Sequence, residues 1–144
     1  MTLGIGAFDV TDTDSLAAEG FVDYRFGHRR FGDYFGESFR GVGPMLGFKA
    51  NSDGGLMGHG SLFIDIRPAA NWVVWPSAGV GGYRPGNSRD LGGVFQFHLG
   101  AHVGYRWDER TMLGISFQHV SNGGFQPINP GADSVFITYS ILFD

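Results

Sequence analysis

The chain of 144 residues contains no cysteine, which excludes thiol nucleophiles, disulfide scaffolds and zinc-thiolate centres. Such a chain suits either redox compartment. Lysine is almost missing too: Lys49 stands alone beside nine arginines. With a net charge of -4 the sequence offers no basic footprint, and nucleic acid is excluded as a partner. Charged residues reach only 17%, below the roughly 25% of an ordinary soluble domain. No stretch approaches the ~18 consecutive apolar residues of a transmembrane helix. Apolar residues recurring at helical spacing are scarce. The opening residues Met1 to Gly6 lack a basic segment followed by an apolar core, so they are no secretory signal. The chain is then either cytoplasmic or a mature form from which a signal peptide has been removed.

What is present is glycine, 25 residues of it, with 42% hydrophobic and 15% aromatic residues. The aromatics rule out disorder, and the missing Gly-X-Y period rules out collagen. The length is that of one domain.

The dominant period is two. From Val94 to Trp107 the odd positions are Phe95, Phe97, Leu99, Ala101, Val103, Tyr105 and Trp107, whereas the even ones include Gln96, His98, His102 and Arg106. Leu62, Ile64 and Ile66 oppose His59, Ser61 and Asp65 in the same way. Val22, Tyr24 and Phe26 oppose Glu19, Asp23 and Arg25. Alternation of this kind marks strands with one apolar and one polar face. Turn-like clusters divide the chain into roughly eight strands, near 2–9, 18–28, 37–50, 55–67, 71–84, 92–107, 111–121 and 133–143. An even number of antiparallel strands permits closure.

Two closed architectures fit, differing in which face turns inward. A soluble lipocalin-like carrier encloses the apolar face, while an outer-membrane barrel turns it to lipid. The polar face decides: Glu19, Asp23, Arg25, Arg40, His59, Asp65, Gln96, His98, His102, Arg106 and Gln118 mix both signs with amides and imidazoles. That mixture suits an internal network better than a solvated exterior rich in lysine and glutamate. The expected fold is all-β, an eight-stranded antiparallel transmembrane barrel of outer-membrane type. Trp72, Trp75, Tyr83, Tyr105, Trp107 and Tyr139 are candidates for interfacial aromatic girdles. The glycines are assigned to barrel curvature.

Chemically capable residues concentrate between His119 and Asp133. Leu113, Ile115 and Phe117 set an apolar parity that continues through His119 and Ser121; Val135, Ile137 and Tyr139 share the parity of Asp133. A base, a nucleophile and an acid thus leave the lipid-facing belt at one edge. Polar groups there lose hydration unless they pair. The arrangement suits esterolysis of a membrane lipid, with Ser121 attacking the carbonyl, His119 accepting its proton, and Asp133 orienting the imidazole. Asn122 and a glycine amide are candidates for stabilising the oxyanion. Residues i and i+2 of a strand lie about 7 Å apart at Cα, so the strand end must bend or the rotamers converge.

The run His119-Val120-Ser121-Asn122, then Pro127, Asn129, Pro130-Gly131 and Asp133, followed by a last amphipathic strand, resembles the PagL-type lipid A 3-O-deacylases. The resemblance implies an eight-stranded outer-membrane barrel that hydrolyses the 3-O-linked acyl chain of lipid A without metal or cofactor. It implies base and nucleophile at His119 and Ser121, with Asn122 and Gly124 near the oxyanion. The family's usual acid is glutamate, and Asp133 is one methylene shorter. The implied partners are lipopolysaccharide as substrate and membrane lipid; a homodimer stays open. The competing readings are a non-enzymatic structural or adhesion barrel and the soluble carrier.

Other features read more plainly. His98 and His102, four residues apart on a strand, are separated by about 13 Å, too far for one ion, and are read as lumen filling. Asp9, Asp12 and Asp14 lack the central glycine and bidentate glutamate of an EF-hand and are read as a solvated loop. No helix pattern follows Gly79-Val80-Gly81-Gly82, so it is no phosphate loop. His28-Arg29-Arg30 is read as a solvated charge run.

Overall fold

The computed structural model describes residues 1–27 and 36–143. His28-Arg29-Arg30 lies outside the described residues. Eight antiparallel strands follow one another in sequence order and close, β1 pairing with β8. They are β1 (Thr2–Phe8), β2 (Ala17–Arg25), β3 (Phe39–Asn51), β4 (Leu56–Ala69), β5 (Trp72–Arg84), β6 (Phe95–Arg106), β7 (Thr111–Ser121) and β8 (Ala132–Ile141).

The expected inversion of faces is present. Ile5, Ile137 and Ile115 are register partners across β1, β8 and β7, and they are 75%, 70% and 61% exposed. Leu3, Leu46, Leu62, Leu99 and Leu113 extend this outward apolar surface. Inside, Glu19, Asp23, Lys49, His59, Asp65, Gln96, His98, His102 and Gln118 are buried. Charges in a lumen persist when paired: Lys49 Nζ lies 3.6 Å from Glu19, and His59 Nε2 lies 3.4 Å from Asp23. The His59 and His98 rings stack at 3.8 Å, and Ser61 Oγ bonds both imidazoles.

Apolar plugs close this polar layer above and below. Phe8, Ala17, Met57, Tyr83, Leu91, Val120 and Ala132 fill one end; Met45, Phe63, Val73, Trp75 and Met112 fill the other. Several glycines serve to make room for lumen side chains more than to bend strands. A Cβ on Gly47 would lie 2.1 Å from His59 Nε2 and 2.3 Å from Asp23 Oδ1.

Two of the six expected girdle aromatics point inward instead. Trp75 is buried and donates its Nε1–H to Asp65 Oδ1 at 3.2 Å. Tyr83 is buried and donates its hydroxyl to the Arg89 carbonyl at 2.9 Å. Their strand is apolar on both faces, Val73 inward and Val74 toward the outside, so alternation carries no directional signal there. Trp72, Tyr105, Trp107 and Tyr139 are exposed, Trp72 and Tyr105 packing edge to face at 5.4 Å.

The connections define two rims. Residues 9–16, 52–55, 85–94 and 122–131 join strands at one rim. The opposite rim carries both ends of the chain and the connections at 70–71 and 107–110. The 70–71 and 107–110 turns beside the termini and the longer 9–16, 85–94 and 122–131 loops opposite follow the pattern of outer-membrane barrels, whereas the 26–38 connection on the terminus side is long and 52–55 on the other rim is short.

Candidate active site

His119 and Asp133 are register partners on β7 and β8, so the fold sets them side by side across the ladder. Cross-strand neighbours have Cβ atoms about 4.5–5.5 Å apart, within reach of a short carboxylate. Asp133 Oδ1 accepts a hydrogen bond at 2.7 Å from His119 Nδ1. The pair sits on the outward face at the loop rim, with side chains 36% and 24% exposed. The short Asp133 side chain reaches the imidazole because the two residues are direct cross-strand partners.

Ser121 closes β7 two residues later, on the same face, opposite Phe97 of β6. No hydrogen bond joins its Oγ to His119 Nε2, as the strand spacing anticipates. Gly131 lies against the imidazole: its φ is +64°, and an added Cβ would come 3.2 Å from His119 Cε1. Pro130-Gly131 belongs to the motif read in the sequence, whereas its contact with the ring is not readable there.

Asn122 faces inward and is fully buried. Its Nδ2 donates to the carbonyls of Leu91 at 2.8 Å and Ile128 at 2.6 Å, while its Oδ1 accepts from the Gly124 amide at 2.9 Å. Its own amide donates to Asn129 Oδ1 at 2.9 Å. Asn122 and Gly124 are thus bound into the loop they shape. Gly123, between them, has φ +64°, an added Cβ there would come 2.8 Å from the Phe97 ring, and its amide has no acceptor among the described residues.

Around Ser121 the rim is apolar. Phe95, Phe97 and Phe125 contact one another at ring separations of 5.2, 5.8 and 6.4 Å. Val94 and Phe125 are 71% and 72% exposed. An apolar groove of about 440 Å³ continues this surface past Val94 to Phe48 and Leu56.

The loop at 9–16 braces the site from the other side. The Val10 amide donates to the Asp133 carbonyl at 2.9 Å. Asp9, expected in a solvated loop, is instead buried with φ +55° and accepts from Ser15 Oγ and from Arg89 at 2.5 Å. The hydrogen bond from Arg89 to Asp9 holds the guanidinium pKa above its ordinary value. Asp12 adds a second contact to Arg89 at 3.1 Å. The lumen histidines take no part: His98 stacks on His59 and His102 on Trp75.

A family model for lipid A 3-O-deacylase (PagL) matches residues 45–141. Among solved structures, the outer membrane enzyme PagL is similar at a TM-score of 0.72 and 15% identity, covering 99% of this chain and 98% of that one. De novo designed transmembrane β-barrels match at 0.59 and 10% identity, covering 98% and 95%. The Yersinia pestis outer membrane protein Ail matches at 0.56 and 11%, covering 98% and 97%. Among curated protein sequences no significant match was found.

Proposed function

From the premise that this chain belongs to the lipid A 3-O-deacylase (PagL) family, and is an ester hydrolase of that class in an outer-membrane-type barrel, we propose that Ser121, His119 and Asp133 carry out the hydrolysis. The observation that carries this reading is the 2.7 Å bond between His119 Nδ1 and Asp133 Oδ1 on the lipid-facing surface. A structural barrel has little use for an imidazole and a carboxylate there, because each loses hydration at the membrane edge.

The bond fixes the tautomer: Nδ1 keeps its hydrogen, and Nε2 presents a lone pair. Ser121 turns its Oγ toward Nε2 and gives up its proton as it attacks the ester carbonyl at position 3 of lipid A. Asp133 stabilises the resulting imidazolium. The developing oxyanion is met by the turn Asn122–Gly124, in which the Gly123 amide is the donor not already engaged. Imidazolium then protonates the departing sugar hydroxyl, and water, activated by the same nitrogen, releases the hydroxy fatty acid. The acyl chain lies along Phe95, Phe97 and Phe125. The loop rim faces outward from the cell, where lipopolysaccharide resides.

The test is mass spectrometry of purified lipid A incubated with the refolded barrel. Wild type should remove one hydroxyacyl mass; Ser121→Ala and His119→Ala should fold and remove none. Retained activity in Ser121→Ala would overturn the mechanism.

A further inference from the structure

The lumen mouth opposite the candidate active site holds a second cluster, unused by ester hydrolysis. Three strands deliver arginines to it: Arg40 from the start of β3, Arg67 from the end of β4 and Arg106 from the end of β6. Arg67 and Arg106 border two adjoining cavities of about 550 and 330 Å³, and Arg40 borders the smaller. Such convergence is unexpected in a chain of net charge -4.

The charges at this mouth are unequally satisfied. Arg67 is engaged by Asp65 through two bonds of 3.1 and 3.3 Å. Arg25, on the wall of the larger cavity, lies 3.7 Å from Asp23, donates to Thr2 Oγ1 and sits over the Trp75 ring at 4.3 Å. Arg40 and Arg106 have no side-chain hydrogen bond or salt bridge among the described residues, and the Nε of each is buried without an acceptor. Among the described residues, the other carboxylates at this mouth do not fill that role. Glu37 and Glu109 border the cavities but are exposed. Asp108, which feels the charge of Arg106, is committed to its own turn through Thr111 and the Arg110 amide, and these bonds hold its pKa below the ordinary value.

A guanidinium presents a rigid fork of N–H donors matched to oxyanions. One planar carboxylate satisfies one fork, as Asp65 does for Arg67. Two unpaired forks arriving from different strands, with a third beside them, call for an acceptor whose oxygens point in several directions. We propose that the cavity between Arg40, Arg67 and Arg106 binds a phosphate group. Free phosphate and the phosphate of a lipid headgroup at that leaflet share this chemistry.

The test uses the whole barrel in a phosphate-free maltoside micelle. Its unfolding midpoint is followed against inorganic phosphate, with chloride at matched ionic strength as control, and separately against dioctanoyl phosphatidic acid with the phosphatidylcholine analogue as control. Saturable stabilisation above the control is expected, with apparent affinity at least tenfold weaker in Arg40→Gln and Arg106→Gln. Deacylation should be unchanged in both. Arg106→Lys, which keeps the charge and loses the fork, should bind with intermediate affinity and guards against a folding defect in the glutamine variant. A response to inorganic phosphate identifies the free ion as sufficient; a response to phosphatidic acid alone assigns the same site to a lipid headgroup. Absence of both responses in wild type, or an undiminished response in the Arg40→Gln/Arg106→Gln double variant, overturns the proposal.

Discussion

At the residue scale the proposed chemistry depends on one hydrogen bond and the glycine beside it. Asp133→Asn keeps the shape of the acid and can accept a bond from Nδ1, but it cannot stabilise an imidazolium. Deacylation should fall by about 10²- to 10⁴-fold with little change in stability, read from initial rates on purified lipid A beside a denaturant titration. Asp133→Glu has to fit an added methylene between register partners already bonded at 2.7 Å, so it should retain only part of the rate. Gly131→Val strains a φ of +64° and presses a branched side chain on the imidazole. Its cost should be about 1–3 kcal/mol in stability, accompanied by a rate loss that exceeds any effect on substrate binding. Equal rates for Gly131→Val and wild type would show that the ring needs no such support.

At the scale of elements, loops from different parts of the chain converge behind the site. The 9–16 loop holds the Asp133 carbonyl through Val10 and holds the 85–94 loop through Asp9 and Arg89. The 85–94 loop in turn receives Asn122 at the Leu91 carbonyl. Arg89→Ala leaves the Asp9 carboxylate buried without its cation, at about 1–3 kcal/mol. We expect faster proteolytic cleavage within 9–16 and slower deacylation, with partial recovery in Asp9→Asn/Arg89→Ala; protease resistance equal to wild type would show that the pair braces nothing. This layer was the least legible part of the sequence. Alternation on β2, β4, β6, β7 and β8 disclosed strand, face and parity, and so placed His119, Ser121 and Asp133 on one side. It failed on β5, where both faces are apolar, and Trp75 and Tyr83 were accordingly expected outside. The bonds of Asn122 span up to 31 residues, and no local pattern encodes a contact at that separation. Asp9 looked solvated because its cation lies 80 residues away.

At the scale of the whole molecule, everything follows from the inversion of faces, which has a measurable energetic sign. Ile137 is 70% exposed at the centre of the Ile5, Ile137 and Ile115 row. In a water-soluble protein, replacing so exposed a side chain by arginine changes stability by no more than about 0.5 kcal/mol. In a bilayer the same guanidinium enters hydrocarbon, where the cost at the midplane of a barrel is about 2–4 kcal/mol, falling toward zero at the interfaces. Ile137→Arg should therefore lower the unfolding free energy of the vesicle-embedded barrel by roughly that midplane amount. Leu99→Arg, nearer the loop rim opposite His119, should cost less. The measurement is reversible denaturant unfolding from short-chain phosphatidylcholine vesicles, followed by tryptophan fluorescence. A graded loss would locate the apolar belt in depth and set the proposed triad at its outer edge, where an ester bond of a lipid headgroup is within reach of Ser121. Two arginines tolerated equally would mean that this surface does not face lipid, and the proposed nucleophile Ser121 would then have no route to a lipid ester.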